Sequence, residues 1–222
     1  AFEDEIVMRK DRKPTLIVFC DPISGPASKL FGRLRPQIEA IELPDGYVLE
    51  WGGEYEDSGD AQAALAGGLP FFILLMVVTT IALFNSLRQP LVIWLNVPLA
   101  IIGVTAGLFF SGNPFGFMAL LGFLSLMGML IKNAIVLVDE INVQEASGKN
   151  LLDAIVDATA SRLRPVAMAA STTALGLIPL VLDAFFVAMA VTIIAGLVVA
   201  TVLTMLVLPV FYSVVFGAKE GS

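Results

Sequence analysis

Five stretches of this sequence, at residues 65–84, 91–110, 117–138, 166–182 and 184–216, carry one charged side chain between them, that of Lys132. A helix needs about 20 apolar residues to cross a hydrocarbon layer ~30 Å thick. In lipid each backbone N–H and C=O must be satisfied without water, so a chain written this way is expected to fold as a bundle of spanning helices. Composition agrees: 57% of residues are hydrophobic and 15% charged, with a mean hydropathy of +0.87, well outside the range of water-soluble domains. The expected fold is mostly α, a polytopic transmembrane helix bundle of five spans.

The first 60 residues differ in kind. They hold seven of the 13 basic and 13 of the 20 acidic residues, which marks a water-exposed module at 1–60 ahead of a transmembrane domain at 61–222. Residues 15–20 (TLIVFC) form a β-branched apolar run and residues 47–51 (YVLEW) alternate apolar and polar, so both read as strands. Between them Leu30, Phe31, Leu34, Ile38 and Ile41 recur at helical spacing, in a helix that Pro36 is expected to kink or shorten. The unit is β-α-β. Two strands and one helix bury too little to stand alone, so the segment reads as a fragment of a larger domain.

Residues that are missing narrow the chemistry. A single cysteine leaves no intramolecular disulfide, and the lack of histidine removes the commonest metal ligand and neutral-pH base. Zinc sites and Ser-His or Cys-His catalysis are therefore not expected, and an intramembrane enzyme is not expected because no nucleophile-base or metal-ligand pair stands at a suitable depth. The net charge of −7 lies mostly on the first 60 residues and carries no nucleic-acid footprint. Residues 1–13 are charged where a signal peptide would be apolar. Arg88, Lys149, Arg162, Arg164 and Lys219 fall in alternate connections or at the C-terminus, while residues 111–116 and the turn near Asp183 have no Lys or Arg. The positive-inside rule then puts the C-terminus in the cytoplasm and, with five spans, the first 60 residues outside.

Smaller features shape individual spans. Asn96 and Pro98 fall in mid-span, with Gly103 and Gly107 four residues apart, a pattern expected of close helix packing. Residues 149–161 place Leu151, Leu152, Ile155, Val156 and Thr159 on one face and Asp153 and Asp157 on the other, with Asn150 at the N-cap. This suggests a separate helix at the cytoplasmic interface, with Arg164 and Pro165 opening the next span. The 33 uncharged residues 184–216 read as one tilted or kinked helix, with Pro209 and Tyr212 near its exit.

Lys132 needs either a partner or an escape, since a charge at mid-helix costs about 2.5–3.5 kcal/mol on insertion scales. It lies roughly two turns from the cytoplasmic end of its span, from where its stem can snorkel to the headgroups. Alternatively, Asn133 and Asp139, the latter seven residues on, form with it a polar seam facing protein. No mid-span carboxylate is present to pair with it, because Asp139, Glu140 and Asp183 all sit at span ends.

Residues 115–142 (FGFMALLGFLSLMGMLIKNAIVLVDEIN) and 162–183 (RLRPVAMAASTTALGLIPLVLD) resemble the C-terminal half of an RND (resistance-nodulation-division) multidrug efflux permease. WGGEYEDS at 51–58 and FNSLRQPL at 84–91 fit its hydrophobe/amphiphile exporter branch. The resemblance covers nearly the whole chain in order. It implies that residues 1–60 are a periplasmic porter-subdomain fragment and that the spans are the family's eighth to twelfth helices. It further implies a homotrimer in the bacterial inner membrane, a periplasmic adaptor (membrane fusion protein), an outer-membrane channel and amphiphilic small-molecule substrates.

The family's proton relay faces paired aspartates of the N-terminal half with a lysine and an arginine of the C-terminal half. By motif those cations are Lys132, followed by Asn133, and Arg162. The relay threonine aligns with Ala169. Thr173, one turn on along the same face, is the candidate replacement, although hydrogen bonding between helices is the alternative for Ser171, Thr172 and Thr173. The function implied is proton-driven drug antiport powered by the proton-motive force, without a cofactor. The contrasting expectation is a truncated, non-transporting subunit or accessory protein of the same superfamily.

Overall fold

The structure is a computed structural model and describes residues 8–20 and 27–217. The chain divides into two compact units, Ala1–Trp51 and Gly52–Ser222.

In the first unit a short hairpin pairs β1 (Arg9–Lys10) with β2 (Lys13–Pro14), antiparallel, with Arg9 opposite Pro14 and Lys10 opposite Lys13. Its turn residues Asp11 and Arg12 both adopt positive φ, 52° and 66°, the left-handed twist that a two-residue hairpin requires. Helix α1 (Ala27–Glu39) continues through Pro36 and stops before Ile41. It ends on an ion pair, Arg35 Nε to Glu39 Oε1 at 2.7 Å, and Trp51 Nε1 donates to the same oxygen at 3.1 Å. The donors of Arg35, then Trp51, hold the Glu39 carboxyl below its ordinary range.

The β-α-β expectation is met only by its helix. Residues 15–20 and 47–51 have no ladder assignment, and Leu16, Val18, Phe19, Tyr47 and Val48 are exposed. A strand's hydrogen bonds lie between neighbouring strands, and beyond Thr15, whose N–H donates to Met8 O at 2.9 Å, the 15–20 run meets no such neighbour among the described residues.

The second unit holds helices α2 (Glu54–Phe84), α3 (Arg88–Trp94), α4 (Val97–Ser111), α5 (Phe117–Ala146), α6 (Leu151–Val181) and α7 (Val187–Phe216). Among the described residues five segments are long and apolar enough to cross a membrane, with α3 and α4 together making the second, Arg88–Ser111. Helix α2 begins at Glu54, inside the segment assigned by composition to the water-exposed module. The acidic Glu56 and Asp57 sit in its first turns, where the helix dipole favours negative charge.

Pro98 explains the break between α3 and α4: it has no N–H for the Trp94 carbonyl, so the helical ladder is interrupted there. Asn96 sits in the break, 1% exposed, with Nδ2 donating to Val92 O at 2.8 Å. At the other end of α4, Gly112 (φ 68°) closes a Schellman motif, its N–H bonding to Phe109 O and that of Asn113 to Leu108 O.

The separate interfacial helix near 149–161 is not observed. Helix α6 runs unbroken from Leu151 to Val181 with Pro165 inside it. Asn150 occupies the N-cap with extended backbone, but its side chain makes no capping bond. Residues 187–216 form the single long helix expected of the final stretch, with Pro209 inside it.

Helix α7 is the centre of the unit. Its Leu208 and Tyr212 pack in one buried cluster with Ile93, Val138, Ile141 and Ile155, and its Leu197 and Ala200 in another with Ala100, Val104, Leu126 and Leu130. Glycines permit the approach. A Cβ on Gly103 would lie 2.8 Å from Val199 Cβ and 2.9 Å from Gly196 Cα, and one on Gly122 would lie 2.9 Å from Met189 O. One on Gly107 would collide with Ala195 Cβ. Helix α2, by contrast, leaves Phe71, Phe72, Leu74, Leu75, Val78 and Leu83 exposed.

Gly103→Ala should therefore push α4 from α7 and cost about 1–3 kcal/mol, the usual penalty of overpacking. Gly176→Ala, with nothing within 4 Å of its new methyl, serves as control and should not destabilise. Thermal unfolding in detergent micelles reads the difference, and equal midpoints would contradict this packing.

Candidate functional site

Helix α5 has two unlike faces. Leu126, Leu130, Ala134, Leu137, Val138 and Ile141 are buried against the rest of the bundle. Ser125, Gly128, Lys132 and Asp139 are exposed, and their spacings of three, four and seven place them on one stripe. The stripe has the polar character expected of the seam around Lys132, with Asn133 half-buried beside it. Within this chain, however, the seam is not enclosed.

Lys132 borders a shallow groove of about 280 Å³ between α2 and α5. Across it stand Thr79 and Thr80, whose hydroxyls are turned back to their own helix, donating to Leu75 O at 2.7 Å and Met76 O at 2.6 Å. Among the described residues the Lys132 ammonium has no hydrogen-bond or ion-pair partner.

Arg162 stands elsewhere. Its Nη2 lies 2.5 Å from Glu140 Oε2, and the two side chains are 34% and 14% exposed. The other Glu140 oxygen accepts from Gln144 Nε2 at 2.8 Å. Gln144 Oε1 in turn accepts from Lys149 Nζ at 2.8 Å, and Lys149 is paired with Asp157 at 2.5 Å. This chain of polar contacts ties the end of α5 to the first half of α6. Arg162 Nε is buried and has no hydrogen-bond partner among the described residues. Glu140 is eight residues past Lys132, about 12 Å along the helix at 1.5 Å per residue. The structure therefore separates the two cations that the sequence motifs group together.

Thr173 Oγ1 donates to Ala169 O at 2.9 Å, and Thr172 Oγ1 to Met168 O and Ala169 O at 2.9 and 3.0 Å. Both hydroxyls close on their own helix, so the expected bonds between helices are not formed by these two. Helix α6 returns antiparallel to α5 from the Glu140–Arg162 pair. Ala169, seven residues past Arg162, is about 10 Å along α6 and so level with Lys132, whereas Thr173 lies roughly a turn further.

Sequence reasoning missed two polar arrangements. Glu140 reads as a span-end carboxylate, yet its i,i+4 spacing to Gln144 is a visible sign of a local network. The second is a triad at the same end of the bundle. Gln89 Nε2 donates to Asn142 Oδ1 at 2.7 Å, and Tyr212 OH donates to the same oxygen at 3.2 Å. It joins α3, α5 and α7, with Tyr212 1% exposed and stacked on Phe216 at 4.3 Å. Nothing in the separate motifs joins positions 53 and 123 residues apart.

Residues 4–216 match the AcrB/AcrD/AcrF family. The chain is 30% identical to the swarming motility protein SwrC of Bacillus subtilis (strain 168), over 95% of this chain and 20% of that protein. It is 32% identical to the cobalt-zinc-cadmium resistance protein CzcA of Cupriavidus metallidurans, over 86% and 19%. With the toluene efflux pump membrane transporter TtgB of Pseudomonas putida it shares 33% identity, over 85% and 19%. The crystal structure of a heavy metal efflux pump superposes with a TM-score of 0.68 at 33% identity, over 86% of this chain and 20% of that one. The chain thus spans about a fifth of the length of these relatives.

Asn142 accepts two bonds in the triad, so Asn142→Leu should lower stability by about 1–2 kcal/mol and Tyr212→Phe by about 0.5–1 kcal/mol. Thermal melts of the detergent-solubilised protein test the order, and a Tyr212→Phe loss as large as that of Asn142→Leu would count against the triad.

Proposed function

The chain belongs to the AcrB/AcrD/AcrF family of RND transporters, and from that premise we propose that it forms the C-terminal membrane portion of a proton-driven exporter. It carries the cationic side of the proton relay. The observation behind this reading is Lys132 itself: a lysine about halfway along a spanning helix, on an exposed stripe, without a counter-charge among the described residues.

Lys132 is proposed to pair with carboxylates of the transporter's other half. While they are ionised, the pair holds and the lysine is cationic. When a proton taken from the outside neutralises them, the pair breaks and the helices repack, because stranding one partner of a buried pair costs several kcal/mol. Asn133 flanks the lysine and Arg162 supplies the second cation. Thr173 is the weakest member of the set, with its hydroxyl held by Ala169 O and its position a turn from the Lys132 level.

The cargo we propose is an amphiphilic organic molecule, on the strength of the WGGEYEDS and FNSLRQPL motifs. A second reading, a metal cation, is favoured by the likeness to the heavy metal efflux pump. CzcA and TtgB, named for cobalt, zinc and cadmium and for toluene, match at 32% and 33% over similar shares of this chain. That near-equality is consistent with a segment that converts proton energy and leaves cargo recognition to other parts of the protein. The proposed setting is a homotrimer in the bacterial inner membrane, with residues 1–60 periplasmic, working with a periplasmic adaptor and an outer-membrane channel.

In the full-length transporter Lys132→Ala should reduce proton-driven efflux at least tenfold, the equivalent of about 1.4 kcal/mol in the coupled step, while its amount in the membrane is unchanged. Efflux of ethidium and of Zn²⁺ from loaded cells reads both cargo classes. Unchanged efflux of whichever cargo the wild type exports would sink the relay reading.

A further inference from the structure

Inside the bundle, away from the Lys132 stripe, the buried oxygens Asn96 Oδ1, Thr201 Oγ1 and Thr204 Oγ1 have no hydrogen-bond partner among the described residues. Asn96 and Thr204 are each 1% exposed and Thr201 is 9% exposed. The other threonines of α2–α7 each donate to a carbonyl one turn back on their own helix, as Thr192 does to Ala188 O at 2.7 Å. Thr201 and Thr204 do not close in this way. The amide of Asn96 is oriented by its bond to Val92 O, which only Nδ2 can donate, so Oδ1 is left as a bare acceptor. Native folds pair almost all such buried atoms, with ordered water where no protein group is at hand.

The packing brings these oxygens to one level. Gly103 meets Gly196 and Val199, and Gly107 meets Ala195, so α4 and α7 run antiparallel, and the Gln89–Tyr212 bond at 3.2 Å extends that pairing into α3. Asn96 lies midway between Gln89 and Gly103, and Thr204 midway between Tyr212 and Gly196. The two are therefore level, and their neighbours Val92, Ile93, Val97, Met205 and Leu208 share one buried cluster. Thr201, three residues from Thr204, stands on the same face of α7. Asn96 turns away from the outer groove of its own segment, which Trp94, Leu95 and Pro98 line. Helix α5 runs parallel to α7, with Gly122 beside Thr192 and Asn142 bonded to Tyr212, so its residue at the level of Thr204 is Ala134. A methyl group is all that α5 brings there.

We propose that Asn96, Thr201 and Thr204 enclose a hydration site, an ordered water that joins the α3–α4 break to α7. The chemistry selects the occupant. An anion is refused by the bare acceptor of Asn96. A cation finds no carboxylate at this level among the described residues, and Ile135, the α5 residue level with Asn96, is one turn from the Lys132 ammonium. Water both donates and accepts. It accepts from the Thr204 hydroxyl and donates to Asn96 Oδ1 and Thr201 Oγ1, about three bonds, as buried waters commonly make. A bridging water follows small displacements of either partner, so the break and α7 can shift against each other without stranding Asn96. The site stands apart from the relay reading and does not rest on it.

The full-length transporter in lipid nanodiscs, imaged at a resolution that shows ordered water, tests this directly. Expected is a density peak at hydrogen-bond distance, about 2.7–3.2 Å, from both Asn96 Oδ1 and Thr204 Oγ1. No peak there, or a direct bond from a threonine hydroxyl to Asn96 Oδ1, would overturn the proposal. So would contacts clearly shorter than hydrogen bonds together with a melting temperature that rises with Na⁺, the mark of a bound cation. Equilibrium unfolding of the same protein in detergent is the second measurement. Asn96→Leu and Thr204→Val should each lower the folding constant about tenfold, because each strands the other's oxygen. The double variant strands neither and should lose no more than the larger single loss. Losses that simply add would show that the two side chains share no partner, and the site would be lost. If the single variants do not fold, the density at the wild-type site decides.

Discussion

The close approach of α7 to α4 and α5 is the contact on which the rest of the bundle depends. Lipid tails are as apolar as leucine, so no hydrophobic force drives helices together inside a membrane, and dispersion contact at short range must serve instead. Gly103, Gly122 and Gly196 supply that range, since each would place a Cβ within about 3 Å of a neighbouring helix or closer. With α7 seated between α4 and α5, the large residues Leu126, Leu130, Leu137 and Leu208 fill the remaining space. One face of α5 is consumed by this contact. The opposite face, bearing Ser125, Gly128, Lys132 and Asp139, is left outward as a consequence.

That arrangement was partly visible in the bare residues. Five apolar runs led to five spans because their length and lack of charge depend on composition alone. The Gly103 and Gly107 spacing correctly suggested helix packing. Boundaries were less readable. Helix α5 continues to Ala146 and α2 starts at Glu54, since polar turns propagate helix beyond the hydrocarbon layer at little cost. Two prolines behaved oppositely. Pro98 coincides with a break, where Asn96 bonds back to Val92 O, whereas Pro165 lies inside an unbroken α6. Proline removes one hydrogen bond in either case, and tertiary packing decides whether the helix stops.

The site was legible as identities and illegible as distances. Motifs singled out Lys132 and Arg162, but only coordinates reveal that Arg162 reaches Glu140, and that Thr173 spends its hydroxyl on Ala169 O. Pairings such as Gln89 with Asn142 depend on how three helices meet, which no local pattern encodes. The strands at 15–20 and 47–51 failed for a related reason. Their residues carry the strand pattern, but pairing is a property of a sheet, and among the described residues the pattern has no strand to meet.

The polar groups of the bundle divide by depth in a way that follows from desolvation. At the Glu140 end, charges and amides are satisfied against each other: Arg162 with Glu140, Lys149 with Asp157, Gln89 and Tyr212 with Asn142. Around Lys132 the nearby hydroxyls of Thr79 and Thr80 are spent on their own helix. A lone ammonium at that depth costs about 2.5–3.5 kcal/mol, and nothing in the described fold offsets it. The packing of the described residues does not explain this unpaired cation, and a carboxylate facing the α5 stripe would turn that cost into attraction. In the proposed relay that attraction would vanish when the carboxylate is protonated, and the energy that makes Lys132 expensive would then be available to couple proton uptake to movement of the helices.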